Sequence, residues 1–120
     1  DPTAQREGLS RIIGDPSMGV VLVARKDDRP VGMVSLLFSV STALGGRVAL
    51  LEDMVVSPAE RGRGVGSLLL SEALSLARNQ GCRRVTLLTD GSNRLAQAFY
   101  AKQGFVLSGM VPMRLLLSGD

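Results

Sequence analysis

Residues 48–67 read VALLEDMVVSPAERGRGVGS, and this stretch decides the fold. Val48–Val56 is an apolar, β-branched run long enough for a buried strand, interrupted only by Glu52 and Asp53. Ser57–Gly64 has loop composition and runs straight into the apolar periodicity of a helix over Val65–Gln80. On a 100° wheel, Val65, Leu69, Leu70, Ala73, Leu74, Leu76 and Ala77 fill one half, and only Leu68 is misplaced. The glycines of Arg61-Gly62-Arg63-Gly64-Val65-Gly66 let a ligand approach the backbone closely. The first-turn amides and the dipole of the following helix favour an anion there, which suits a pyrophosphate. Two familiar phosphate loops fit badly. A Walker loop needs Lys before its Ser or Thr, whereas Gly66-Ser67-Leu68 has none. A Rossmann fingerprint needs G-x-G-x-x-G and an acidic residue about 20 positions on, and neither is in place.

Working outward, residues 3–13 suit a short helix ended by Gly14-Asp15-Pro16. Gly19–Ala24 and Val31–Ser41 suit a hairpin turned at Lys26–Pro30, with a second turn at Thr42–Arg47. Gly81 is a C-terminal stop for the long helix. Arg83–Asp90 reads as the next strand, Asn93 as the N-cap of a short helix over Arg94–Gln103, and Phe105–Met110 and Val111–Ser118 as two last strands. The order α-β-β-β-α-β-α-β-β places a right-handed parallel β-α-β crossover after an antiparallel hairpin. The class is therefore α/β (α+β), with a mixed, mostly antiparallel sheet. No repeat or linker is visible, so 1–120 is expected to be one domain.

The 120 residues contain no His, one Cys (Cys82) and one Tyr (Tyr100). Without His, no Ser-His-Asp or Cys-His set can be assembled within the chain. One thiol excludes an internal disulfide and a multi-thiolate zinc site, so no metal is expected; it also suits a reducing cytoplasm. The polar N-terminus resembles no signal peptide, and no apolar run reaches the roughly 18–20 residues of a membrane span. Net charge is +3, with 12 Arg against 2 Lys. Residues 1–56 carry six basic and seven acidic side chains, a balance of −1, whereas 57–105 carry seven and three, a balance of +4. The basic segment is expected to attract an anion, its alternative being a solvated basic face. Its only aromatics, Phe99, Tyr100 and Phe105, are grouped at its end, unlike the Arg/aromatic interleaving of a nucleic-acid platform.

On two motifs the sequence resembles the GNAT superfamily of N-acetyltransferases. One is Val56-Ser57-Pro58 followed by Arg61-Gly62-Arg63-Gly64-Val65-Gly66, the acetyl-CoA signature. The other is Asn93-x-x-Ala96-x-x-Phe99-Tyr100-x-x-x-Gly104-Phe105. Met113-Arg114-Leu115-Leu116-Leu117 matches a common closing strand, and the likeness covers residues 19–118. The resemblance implies acetyl-CoA as co-substrate. Its pyrophosphate would lie on the amides of Gly62, Arg63, Gly64, Val65, Gly66 and Ser67, with Arg61 and Arg63 adding charge. Its pantetheine arm would lie where the strand before the loop parts from the strand after the crossover helix, against the backbone of Met54, Val55 and Val56; the Val55 side chain itself reads as core. Asn93 would touch the same arm while also capping its helix. Tyr100 would be the general acid for the leaving thiolate, its alternative being a partly buried ring beside Phe99.

Transfer to an alkylamine of pKa about 10.4 needs a base. Strand alternation sends Glu52 and Asp53 to opposite faces, so one of the two faces the cleft; the resemblance, in which an acidic residue often stands at this place, implies Glu52 as base or ammonium anchor. Its alternative is a carboxylate paired with an Arg. Cys82 reads as structural. The implied activity is acetyl transfer to a primary amine, small or on a protein, by direct attack. The alternatives are an acyl-CoA-binding regulatory domain and, from another class, a basic nucleic-acid-binding module. The superfamily usually opens with a strand and two helices that form much of the acceptor site, whereas only a short helix precedes residue 19. Either residues before Asp1 are missing from the sequence, or this is an N-terminally short member whose acceptor site is open or completed by a partner chain; an exposed edge at that end would permit a homodimer.

Overall fold

A computed structural model describes residues 1–118. The chain divides into two compact units, Asp1–Leu88 and Thr89–Asp120. The first holds α1 (Pro2–Ile13), β1 (Gly19–Lys26), β2 (Arg29–Ser41), β3 (Gly46–Val56), a 3₁₀ turn (Pro58–Glu60), α2 (Val65–Asn79) and β4 (Val85–Leu87). The second holds α3 (Arg94–Lys102).

The sheet of the first unit has the order β1-β2-β3-β4. β1–β2 and β2–β3 are antiparallel, and β3–β4 is parallel. The expected mixed, mostly antiparallel sheet with a β-α-β crossover is therefore present. The hairpin turns at Asp27 (φ 51°) and Asp28 (φ 63°), with Lys26 paired to Arg29. Positive φ at both central positions is the turn whose twist matches the flanking strands, and Asp tolerates it better than most side chains.

α2 buries Leu69, Leu70, Ala73 and Ala77, four residues of the apolar half-wheel, whereas Leu68 is exposed as its phase requires. Across from them Val34, Leu36, Ala49 and Leu51 are buried in the sheet. Burying each Leu or Val is worth about 1.5–3 kcal/mol. α2 ends as expected at Gly81 (φ 78°), where the Gly81 amide donates to the Arg78 carbonyl and the Cys82 amide to the Ala77 carbonyl. That pair of bonds is a Schellman stop.

Two expectations fail. Arg83–Asp90 contracts to the three-residue β4, and no strand is formed among described residues after Leu87. Phe105–Met110 and Val111–Ser118 are without secondary structure, and the large apolar side chains of 106–117 are 64–95% exposed. β composition produces a strand only where a neighbouring edge takes up its N–H and C=O groups, and these residues have none.

Candidate active site

The loop after β3 is built for an anion. Ser57 returns to the sheet by donating its amide to the Val31 carbonyl (2.8 Å), and Pro58–Glu60 makes one tight turn. A Lys26–Glu60 ion pair (3.3 Å) ties that turn to the end of β1. Gly62 (φ 79°) and Gly64 (φ 85°) then take left-handed conformations, and a Cβ at either would meet no atom within 4 Å. Glycine is thus required at both by backbone conformation, with open space above.

Gly64 caps α2 without a side chain, and the first amide bonded along the helix is that of Leu68, to the Gly64 carbonyl. The amides of Val65, Gly66 and Ser67 donate to no protein acceptor among the described residues. Three unpaired donors at the positive end of a 15-residue helix form a cradle for a phosphate oxygen. Arg61 and Arg63 are exposed beside it. The predicted residues Arg61–Ser67 are therefore together, and their chemistry fits the pyrophosphate of a CoA thioester.

β3 supplies the adjoining backbone. Its parallel pairing to β4 ends at Leu51–Leu87, although β3 continues to Val56. Beyond Leu51 the β4 side of β3, including Met54, Val55 and Val56, faces no strand of this unit. The end of that pairing lies beside a β-bulge. β2 pairs Met33 with Val55 and Ser35 with Glu52, so one residue opposes two, and Asp53 is left-handed (φ 54°). Glu52 and Asp53 are both exposed, and the left-handed Asp53 interrupts the period-two pattern within β3. Glu52 has no Arg partner; among the described residues the ion pair formed is Lys26–Glu60.

Val55 corrects an expectation. Its side chain is 47% exposed and not core, since it lies in a cross-strand row with Val23 and Met33. This row floors an open cleft of about 380 Å³, bordered by Pro58 and Arg61. Ser35, which the sequence reading passes over, is fully buried and donates its Oγ to the Glu52 carbonyl at 3.0 Å. The only signal for it was a lone hydroxyl within the apolar run Val31–Phe38.

The second unit holds the other two predicted residues. Asn93 caps α3, its Oδ1 accepting from the Ala96 amide at 3.0 Å, so its capping role is realised. Asp90 accepts from the Ser92 amide and hydroxyl (2.8 and 2.7 Å), which hold its carboxyl below the ordinary value. Tyr100 is half-buried, edge-on to Phe99 at 5.2 Å and to Phe105 at 5.8 Å. Burial pushes its phenol above the ordinary value of 10, so it stays protonated at neutral pH. Cys82 is half-buried and its thiol is likewise raised by burial. No group of three His, Cys, Asp or Glu is placed to hold a metal among the described residues. No helix among them is long and apolar enough to cross a membrane.

Residues 2–105 match the model of the acetyltransferase (GNAT) family. The chain belongs to that family. It is 33% identical over 86 residues to the uncharacterized N-acetyltransferase YhfO of Bacillus subtilis, covering 72% of this chain and 58% of that protein. It is 31% identical over 105 residues to the aminoalkylphosphonate N-acetyltransferase of Salmonella typhimurium, covering 88% and 68%. A solved acetyltransferase structure from Trypanosoma brucei superposes with a TM-score of 0.73 at 31% identity, covering 95% and 77%. The chain thus spans little more than half the length of the Bacillus relative. The GNAT fold agrees with the β-α-β crossover described above, and the family implies acetyl-CoA as co-substrate.

Proposed function

We propose that this GNAT chain transfers an acetyl group from acetyl-CoA to a primary amine by direct attack, without a covalent enzyme intermediate. The observation that carries the reading is the set of unpaired amides at Val65–Ser67, next to a β3 edge that no strand of the first unit pairs beyond Leu51. Amides of the glycine loop hold the pyrophosphate, and Arg61 and Arg63 add charge. The backbone of Met54, Val55 and Val56 pairs with the pantetheine arm, and Asn93 offers its remaining amide protons to the same arm. An N–H near Val55 stabilises charge as it develops on the thioester oxygen.

The acceptor must shed a proton before it attacks, and Glu52, exposed and free of ion pairs, takes it directly or through water. The amine nitrogen bonds to the acyl carbon, the C–S bond breaks, and Tyr100 gives its phenolic proton to the departing thiolate. A phenol held protonated by burial is suited to that donation. The residues need no metal for these steps. The single free thiol fits a reducing compartment such as the cytoplasm.

Acceptor class is tested by the amines the charges allow. Exposed Glu52 and Asp53 favour a cationic amine, such as a polyamine or a lysine side chain. The Salmonella relative acts, by its name, on an amine that also carries a phosphonate. Acetyl-CoA at about 100 times its Kd should stabilise the protein by about 2.7 kcal/mol. Thiol release from acetyl-CoA should follow addition of spermidine, a lysine peptide or 2-aminoethylphosphonate. Stabilisation with no thiol release by any amine would favour an acyl-CoA-binding regulatory domain. Salt-sensitive DNA binding with no response to acetyl-CoA would remove the reading altogether.

A further inference from the structure

The bulge in β3 needs something to hold it. A non-glycine residue in the left-handed region is strained and persists only where its surroundings fix it. Asp53 is such a residue, and neither its carboxylate nor that of Glu52 is engaged in an ion pair. Ser35 is the one candidate that reaches the bulge from inside the protein. It is the buried polar residue of the described core, at 0% exposure, and a buried hydroxyl is costly unless bonded. Its bond goes to the Glu52 carbonyl, the peptide group entering the bulge, at 3.0 Å from the partner strand. The register shift between Met33 and Ser35 lies at the same place.

We infer that Ser35 is a positioning residue for acetyl transfer, its hydroxyl locking the β3 bulge so that the backbone of Met54 and Val55 is aimed at the thioester. The inference rests on the function proposed above. With the hydroxyl gone, the Glu52 carbonyl loses the side-chain donor that reaches it from the buried Ser35. Asp53 then relaxes toward negative φ, and the peptide groups that follow rotate with it. Binding of the pyrophosphate is set by the loop at 62–67 and does not pass through this bond. The pantetheine contacts of Met54 and Val55 do pass through it, so the loss falls on turnover first and on acetyl-CoA affinity to a smaller degree.

The test is Ser35→Ala in two backgrounds, the natural chain and Asp53→Gly. Glycine takes the left-handed conformation without support, so it makes the hydroxyl unnecessary. In the natural chain, Ser35→Ala should lower kcat by about 10-fold or more, short of the 10²–10³ of losing an oxyanion donor outright, and raise KM for acetyl-CoA by a smaller factor, because the pantetheine contacts of Met54 and Val55 shift while the pyrophosphate loop does not. Relative to Asp53→Gly alone, the double variant should lose less than about 3-fold, and Ser35→Thr, which keeps the hydroxyl, should recover turnover in any variant that folds. Amide exchange of Met54 and Val55 should quicken in Ser35→Ala while that of Leu70 does not change. An equal loss of kcat in both backgrounds, or a fall in thermal stability with kcat unchanged, overturns the inference alone. Absence of transfer by the unaltered protein overturns the proposed function, and the positioning role of Ser35 with it.

Discussion

Tyr100 shows what one residue can and cannot reveal. Its place in the Asn93–Phe105 motif was legible, and so was its partial burial beside Phe99; the second ring contact, with Phe105, follows from Gly104 (φ 101°) turning the chain back. Both the packing and the chemical reading are compatible with that geometry, and kinetics separates them. Tyr100→Phe keeps the ring contacts and removes the proton, so kcat should fall by about 10²–10⁴-fold, the range of a general acid, with KM for acetyl-CoA nearly constant. Unchanged turnover would leave Tyr100 with packing alone. The same phenol has a pH signature. Its folded value is raised by burial, so the folded chain holds the proton to higher pH than the unfolded chain. The stability this confers is complete below the unfolded value of 10 and is lost as pH rises through the folded one. Thermal melts should therefore show an alkaline decline above pH 10 that is reduced in Tyr100→Phe. Ser35 and Asp53 were not legible, because a bulge is written in no local residue pattern: Asp in mid-strand reads as a catalytic carboxylate, and its φ depends on the partner strand.

At the scale of elements, the crossover was legible because two periods change sharply at one loop. Alternation and β-branching end at Val56, and the 3.6-residue pattern starts at Val65, so β3, loop and α2 follow from composition. What the pattern does not disclose is how closely α2 lies on the sheet. Gly32 pairs with Val56, and a Cβ there would approach Leu69 Cδ1 to 2.9 Å, the Val55 carbonyl oxygen to 3.0 Å and Val65 Cγ1 to 3.1 Å. The start of α2, and with it the amide cradle, is seated on the space left by this missing side chain. Gly32→Ala should therefore cost about 1–3 kcal/mol, the usual range for overpacking, and raise KM for acetyl-CoA by shifting Val65. Gly64→Ala meets no atom, so its stability cost is limited to the left-handed backbone, about 1–2 kcal/mol. Chemical denaturation of both variants, with acetyl-CoA titrations, distinguishes them: an unperturbed Gly32→Ala would show that α2 is not fixed by this contact.

For the whole molecule, the limit of legibility lies at Leu88. Before it every predicted element is present within a residue or two, except that the strand at 83–90 is cut to three residues. After it only α3 survives, because a helix satisfies its own backbone whereas Phe105–Ser118 would need a partner edge. Charge crosses that boundary without regard to elements. The +4 balance of 57–105 includes Arg61 and Arg63 at the cradle and also Arg78, Arg83 and Arg84, all exposed and none in an ion pair among the described residues. Such a field draws a polyanionic co-substrate from a distance and is screened within about 8 Å at physiological salt. Raising ionic strength from about 0.05 to 0.5 M should therefore raise KM for acetyl-CoA several-fold while kcat stays flat, since the distal charges act on encounter and not on the acyl carbon. Neutralising the remote pair, Arg83→Ala with Arg84→Ala, should lower the slope of that dependence and leave KM at high salt unchanged. Arg61→Ala with Arg63→Ala should raise KM at both ends, because those two side chains also stand beside the amides proposed to hold the phosphate. A salt dependence identical in the remote variant and the natural chain would confine the attraction to the loop itself.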